Sequence, residues 1–208
     1  MLKLKESIKK AQVELRFLLN RGYRKKVALE FVANHHQLTR SQRNILVRTV
    51  FSKEDIKLHK KTKTSIEEIK ERKLGIDGYN VLITIESIID DKHLKCDDGF
   101  IRDIKASFGN YEINNKTNEA LKLIKKLFNK YEPNNVTFLY DKPVSKSGEL
   151  AGLTRNILEN FNTDAKAVKN VDLKLREYEV VASSDRGVIE HSEKVIDLPK
   201  SILNMKKS

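Results

Sequence analysis

The sequence predicts an α/β protein with a mainly parallel sheet, preceded by a small all-helical domain. Three observations carry this. From Lys73 onward, short apolar runs alternate with helical segments, a pattern that implies right-handed crossovers and a sheet covered on both faces. Ahead of Thr64, apolar residues recur at helical spacings without a strand-like run. The charge divides at the same place: residues 1–63 hold 17 Lys+Arg against 5 Asp+Glu, and residues 64–208 hold 24 of each, so the whole net charge of +12 lies in the front third. Residues 1–63 are therefore expected to form a basic helical domain and residues 64–208 an electrically balanced α/β domain.

In the front domain, Ala11, Val13, Leu15, Phe17, Leu18 and Leu19 give a dense apolar face that Asn20-Arg21-Gly22 stops. Val27, Ala28, Phe31 and Val32 predict a second helix over roughly Arg24–Asn34. Thr39 or Ser41 then caps a third helix carrying Ile45, Leu46, Val47, Val50 and Phe51. Two helices joined by so short a turn are compatible with a helix-turn-helix. Ser52-Lys53-Glu54-Asp55 starts another helix, and Lys57–Lys63 reads as a solvated connector. A one-sided charge of this size is the footprint of a segment that binds a polyanion. The candidate contacts are Arg24, Lys25 and Lys26 on the second helix and Arg40, Arg43 and Arg48 on the third. The competing account is a helical domain that charge merely keeps soluble.

In the second domain the expected strands are Leu74–Asp77, Val136–Asp141, Ala165–Val168, Glu179–Ser183 and Lys194–Ile196. The expected helices are Asn80–Ile89, Asn118–Tyr131, Gly148–Asn160, Asp172–Glu177 and Asp185–His191. Cys96–Phe100 reads as a turn and Phe108–Asn115 as a loop.

Several functions are excluded or disfavoured. No Gly-x-x-x-x-Gly-Lys-Ser/Thr loop occurs, which removes P-loop nucleotide hydrolysis, and no serine sits in a Gly-x-Ser-x-Gly elbow. The single Cys96 allows no intramolecular disulfide and no cysteine-pair zinc site; it reads as a small semi-buried residue. His35-His36 reads as a polar turn, because adjacent imidazoles on a helix do not face the same way. Met1–Lys10 alternates charge with apolar residues, and no run is long enough to span a bilayer, so no signal peptide and no membrane association are expected; a reducing cytoplasm is the expected setting.

Four aspartates carry the expected chemistry. Asp77 ends one strand, Asp141 another, and Asp172 and Asp185 open helices on either side of a third. The carboxyl ends of neighbouring parallel strands converge on one crevice, where ligands bind. Carboxylates gathered there repel one another unless a cation sits among them. Oxygen-only ligation suits Mg²⁺ or Mn²⁺, and metal-assisted phosphodiester cleavage is the best use of such a site. Gly78 is expected to let the chain turn sharply, and Asn80 to cap the next helix or fix the Asp77 rotamer. The loop Lys142–Gly148 offers Lys142, Ser145, Lys146 and Ser147 as phosphate contacts, with Ser147 equally placed to be a plain helix cap. Each aspartate alone also reads as a cap; four at one sheet edge are harder to explain that way.

The words Ile76-Asp77-Gly78-Tyr79-Asn80, Phe138-Leu139-Tyr140-Asp141, Val171-Asp172-Leu173 and Val181-Ala182-Ser183-Ser184-Asp185 stand in the order found in the PIN-like and NYN nuclease superfamily, which residues 73 to about 198 resemble. The resemblance implies a compact three-layer α/β domain in which Asp77, Asp141, Asp172 and Asp185 bind divalent metal and cleave RNA. It also implies a further acid in the helix after the second strand region, for which Glu86, Asp98 and Asp103 compete; Asp103 is taken as a supporting residue beside Asn80. The front segment, with Phe17–Tyr23 and Leu38–Arg43, resembles a helical domain of unknown function found fused to such domains in archaea and bacteria. The expected function is therefore a metal-dependent ribonuclease, RNA being favoured over DNA on the resemblance alone. The alternatives are a non-catalytic RNA- or DNA-binding protein with a degenerate PIN-like domain, and a helix-turn-helix transcription regulator.

Overall fold

The computed structural model describes residues 4–70, 72–104 and 111–206. Four helices form the front: α1 (Glu6–Leu19), α2 (Lys25–His35), α3 (Arg40–Thr49) and α4 (Lys53–Thr62). Thr39 and Ser52 close capping boxes with Gln42 and Asp55, which satisfies free amide donors at the starts of α3 and α4. The sequence left Thr39 and Ser41 as rival caps; the side chain of Thr39 takes the role.

After a short 3₁₀ turn, Ile66–Lys70, come β1 (Lys73–Asp77) and α5 (Gly78–Ile89), then a small hairpin of β2 (Leu94–Lys95) and β3 (Ile101–Arg102). The rest alternates: α6 (Asn115–Tyr131), β4 (Asn135–Asp141), α7 (Ser147–Ile157), β5 (Thr163–Val168), α8 (Val171–Leu175), β6 (Val180–Ala182), α9 (Arg186–Glu190), β7 (Val195–Ile196) and α10 (Leu198–Met205). The main sheet is wholly parallel, in the order β5-β4-β1-β6-β7. The chain winds outward from β1 through β4 to β5, then returns to place β6 on the other side of β1. The order therefore reverses between β1 and β6, and a crevice opens at the carboxyl ends there.

Side chains alternate across this sheet as a two-sided sheet requires. Val136, Phe138 and Tyr140 of β4 join the larger core with α5, α6 and α7, while Leu139 points the other way and packs with Val171 and Leu175 of α8. The helices of the second domain fall where the sequence places them, with ends shifted by a few residues. The sequence reading missed α10 and the β2–β3 pair, and placed only a turn at Cys96–Phe100. Of the expected loop Phe108–Asn115, residues 108–110 lie outside the described part.

Two expectations about the front are corrected. Lys57–Lys63 is no solvated connector. Most of it belongs to α4, where His59 is fully buried and donates through Nδ1 to Asp98 at 2.8 Å. Lys63 pairs with Asp197 at 3.1 Å, and the Thr64 amide donates to the carbonyl of Val195. The front helices also share their core with the hairpin, because Leu94 and Cys96 are buried among Leu15, Leu19, Val32 and Leu46. A basic segment can hide one buried histidine among exposed lysines, and charge count alone does not show it.

Candidate functional site

Asp77 ends β1 and caps α5. One carboxylate oxygen accepts from the Asn80 amide at 3.3 Å and the other from the Ser183 hydroxyl at 2.9 Å. Asn80 in turn accepts from the amide and hydroxyl of Ser184 at 2.8 and 3.0 Å, tying the end of β6 to the start of α5 across the switch point. Asp185 caps α9, accepting from the amides of Gly187 and Val188. Asp141 ends β4, and Asp172 lies in the first turn of α8. The expectation that Asp172 could be a cap fails, since the cap position falls to Asn170 in the left-handed conformation. No hydrogen bond to the Asp141 or Asp172 carboxylate occurs among the described residues.

All four aspartates and Asn80 line one open cleft of about 680 Å³. Burial pushes the Asp77 carboxyl up to about 7, against the hydrogen bonds from Ser183 and Asn80 and with the help of the Asp185 and Asp172 charges. Asp141 is raised by burial and by Asp172, and Asp172 by burial and by Asp185, with Arg176 opposing. Mutual repulsion of this kind is what a cation relieves. Among the described residues, no three of these carboxylates bring oxygens within 4.8 Å of one another. The acids thus form no ready-made cluster of three, and an ion in the cleft would have to keep part of its water shell, as Mg²⁺ readily does. The donor set fits such an ion: carboxylate and amide oxygens alone, in an open cleft.

The sequence reading missed the rest of the cleft wall. Lys169 and Asn170, between β5 and α8, and Arg176, after α8, also face it. The signal was present, because Lys169-Asn170 follows a predicted strand at the same edge as the acids. From the Lys142–Gly148 loop, only Pro143 lines the cleft. Lys142, Ser145 and Lys146 are exposed beside it, whereas Ser147 is buried and donates to the Lys142 carbonyl, closing the loop. Ser147 is also not the cap of α7; Lys146 holds that position at φ 63°.

None of the three competing acids reaches the cleft. Glu86 is buried near the far end of α5 and accepts from Thr117 at 3.0 Å and from Tyr111. Burial pushes the Asp98 carboxyl up, but hydrogen bonds from His59 and Arg102 outweigh it and hold Asp98 well below the usual carboxylate range. Asp103 accepts from Arg48 at 2.7 Å, so it braces the hairpin against α3 instead of supporting the site. Gly78 is corrected in its reason: its backbone does not occupy the left-handed region, but a Cβ there would collide with the Tyr140 ring.

The front domain's candidates divide. Arg24, Lys26 and Arg40 are exposed. Arg43 donates to the Leu38 carbonyl and to Asn34, bracing the turn between α2 and α3. Lys25 donates to the carbonyls of Val47 and Val50 at the end of α3, and burial with nearby Arg186 lowers it to about 8. Even so, Lys25 and Arg48 line a hollow of about 250 Å³ that shares Asn80 and Asp185 with the acidic cleft. Arg186 beside that cleft pairs with Asp55 of α4 at 3.1 Å. The helical front thus reaches the rim of the site.

Residues 66–201 match the family described as a domain of unknown function (DUF5616). The chain belongs to that family. Residues 7–62 match a second one, described as a protein of unknown function (DUF434), so the two matches meet between Thr62 and Ile66. An uncharacterized protein of Methanocaldococcus jannaschii is 40% identical over 197 residues, covering 92% of this chain and 94% of its own. No solved structure matches the chain. Among the described residues, no helix of this DUF5616 protein is long and apolar enough to cross a membrane.

Proposed function

We propose that this protein is a divalent-metal-dependent ribonuclease whose basic helical front holds the RNA. One observation carries the reading: carboxylates at the ends of β1 and β4, in α8 and at the cap of α9 open on a single cleft at the switch point of the sheet, and two of them, Asp141 and Asp172, accept no hydrogen bond among the described residues. Magnesium or manganese, when bound, would polarise the scissile phosphate and lower the pKa of an attacking water. Asp141 and Asp172 would hold the ion, with Asp77 and Asp185 completing the acidic wall. Asn80 fixes the Asp77 carboxylate and the Ser183–Asp185 segment, so that the acids keep their spacing through turnover. Lys169 and Arg176, which flank α8 and line the same cleft, would face the phosphates on either side of the cut.

The front supplies the charge and the stacking faces for a single strand. Phe17, Tyr23 and Phe31 are more than half exposed, and the Arg21 guanidinium lies 3.4 Å above the Phe17 ring centroid. Exposed aromatics interleaved with Arg24 and Lys26 suit splayed bases better than a duplex. The preference for RNA rests on the likeness to PIN-like and NYN nucleases. A non-catalytic nucleic-acid binder is the second reading, favoured by the wide spacing of the acids. The deciding test is cleavage of a labelled single-stranded RNA in Mn²⁺, in Mg²⁺ and in chelator. The parent should cut only with metal, and Asp141→Asn and Asp172→Asn should each lose activity about a hundredfold or more while staying folded. A parent that binds the RNA but leaves it intact under all three conditions supports the binder.

A further inference from the structure

We propose that Glu14, His35 and His36 form a second metal site, distinct from the acidic cleft and suited to a transition metal, zinc above all. One ligand atom from each lies within 4.8 Å of the other two, and among the described residues this is the one group of three that does so. The residues come from two helices, so no spacing in the sequence could show them. The objection that neighbouring histidines face apart holds inside a helix. Here it fails because the helix ends at His35: His36 is the C-cap with φ −87° and ψ 6°, and Gln37 follows in the left-handed region at φ 48°. The chain leaves the helical path and swings the second imidazole beside the first, with ring centroids 4.9 Å apart and planes at 83°. His36 Nε2 already lies 2.8 Å from a Glu14 oxygen, which fixes two of the three donors relative to each other.

The chemistry of the set selects the ion. Two imidazole nitrogens and one carboxylate oxygen suit zinc, nickel, cobalt or copper, whereas the oxygen-only cleft suits magnesium or manganese. Zinc bonds of about 2.0–2.2 Å place tetrahedral ligands about 3.4 Å apart, within reach of small rotations of the exposed Glu14 and His35 side chains. The position at the C-terminus of α2 adds to this, since the carbonyl end of a helix dipole favours positive charge. Three protein ligands leave a fourth position for water. The bound ion would clasp the middle of α1 to the end of α2 and stabilise the helical front through binding. The site stands independently of the nuclease reading.

The test uses the full-length, tag-free chain, stripped with chelator and titrated with Zn²⁺ by calorimetry, with thermal unfolding in parallel. The parent should take up zinc and melt at higher temperature with it, and so should the Asp141→Asn, Asp172→Asn double variant, which lacks the two carboxylates assigned to the ion of the cleft and should take up one equivalent. His35→Ala, which removes an exposed ring, should keep the metal-free melting temperature and lose at least about tenfold in zinc affinity. His36→Ala should lose the zinc-induced rise as well. Absence of stoichiometric uptake by the parent, uptake unchanged in His35→Ala, or uptake lost in the Asp141→Asn, Asp172→Asn double variant would each overturn the proposal.

Discussion

Replacing Asp77 with Asn separates the demands of the fold from those of the site. Asparagine caps a helix about as well as aspartate, so the start of α5 should survive the change. What disappears is a buried charge. The folded protein raises this carboxyl from 3.8 to about 7. At 1.36 kcal/mol per tenfold change in proton affinity, the folded state carries a penalty of about 4 kcal/mol once Asp77 is ionised. The sign follows from the direction of the shift. Between pH 4 and pH 7 the folded chain binds more protons at this site than the unfolded chain, so stability falls as pH rises through that window. Above pH 7 the full penalty is present, and below pH 4 it is absent. In chelator, Asp77→Asn should therefore flatten this fall and leave the variant a few kcal/mol more stable than the parent at pH 8. With millimolar Mn²⁺ the order should narrow or reverse, because the ion stabilises the ionised parent and gives less to the variant. Urea unfolding at pH 4, 6 and 8, with and without Mn²⁺, measures all of this. If parent and variant show the same pH dependence in chelator, Asp77 is not held as an ionisable group under strain, and the reasoning fails.

Three further outcomes are expected. Gly78→Ala should destabilise the protein by about 1–3 kcal/mol in urea titration, since the added methyl meets the buried Tyr140 ring. Asp98→Asn should cost about 3–5 kcal/mol by the same measurement, because Arg102 would lose its buried ionic partner. Asp98 is held below its ordinary value, so its contribution is present above about pH 4 and fades in acid; the parent–variant gap should shrink there. Changing exposed Arg24, Lys26 and Arg40 to Gln should reduce the log–log salt slope of single-stranded RNA binding by roughly 0.7 per lost contact, in a fluorescence titration over a salt series. Point changes are preferable to removing residues 1–63, since that truncation would expose Leu94 and Cys96 of the hairpin.

What was legible in the sequence was what depends on local pattern. The β-α alternation implies the parallel sheet, and the strand-end rule alone brings Asp77, Asp141, Asp172 and Asp185 to one edge, where they line one cleft. Pairings between distant residues were not legible. Arg48 looked available for nucleic acid, but it meets Asp103, which lies 55 residues away. His59 looked solvated in its run of lysines, but its partner Asp98 lies 39 residues away. Ser147 looked like a cap until the loop folded back on the Lys142 carbonyl. The α10 helix was missed despite Asp197 at its cap and Pro199 in its first turn, both ordinary helix-start signals. The Glu14–His35–His36 group depends on how two helices pack and on where one of them ends, and neither is written in residue spacing.

The central claim is that the four aspartates form a divalent-metal site, and crystals soaked in millimolar Mn²⁺ test it most directly through the anomalous signal of the ion. The account predicts a peak inside the cleft, within bonding distance of Asp141 or Asp172 and lost in the Asp141→Asn, Asp172→Asn double variant. A cleft without manganese, in crystals whose lattice leaves it open, would contradict the account.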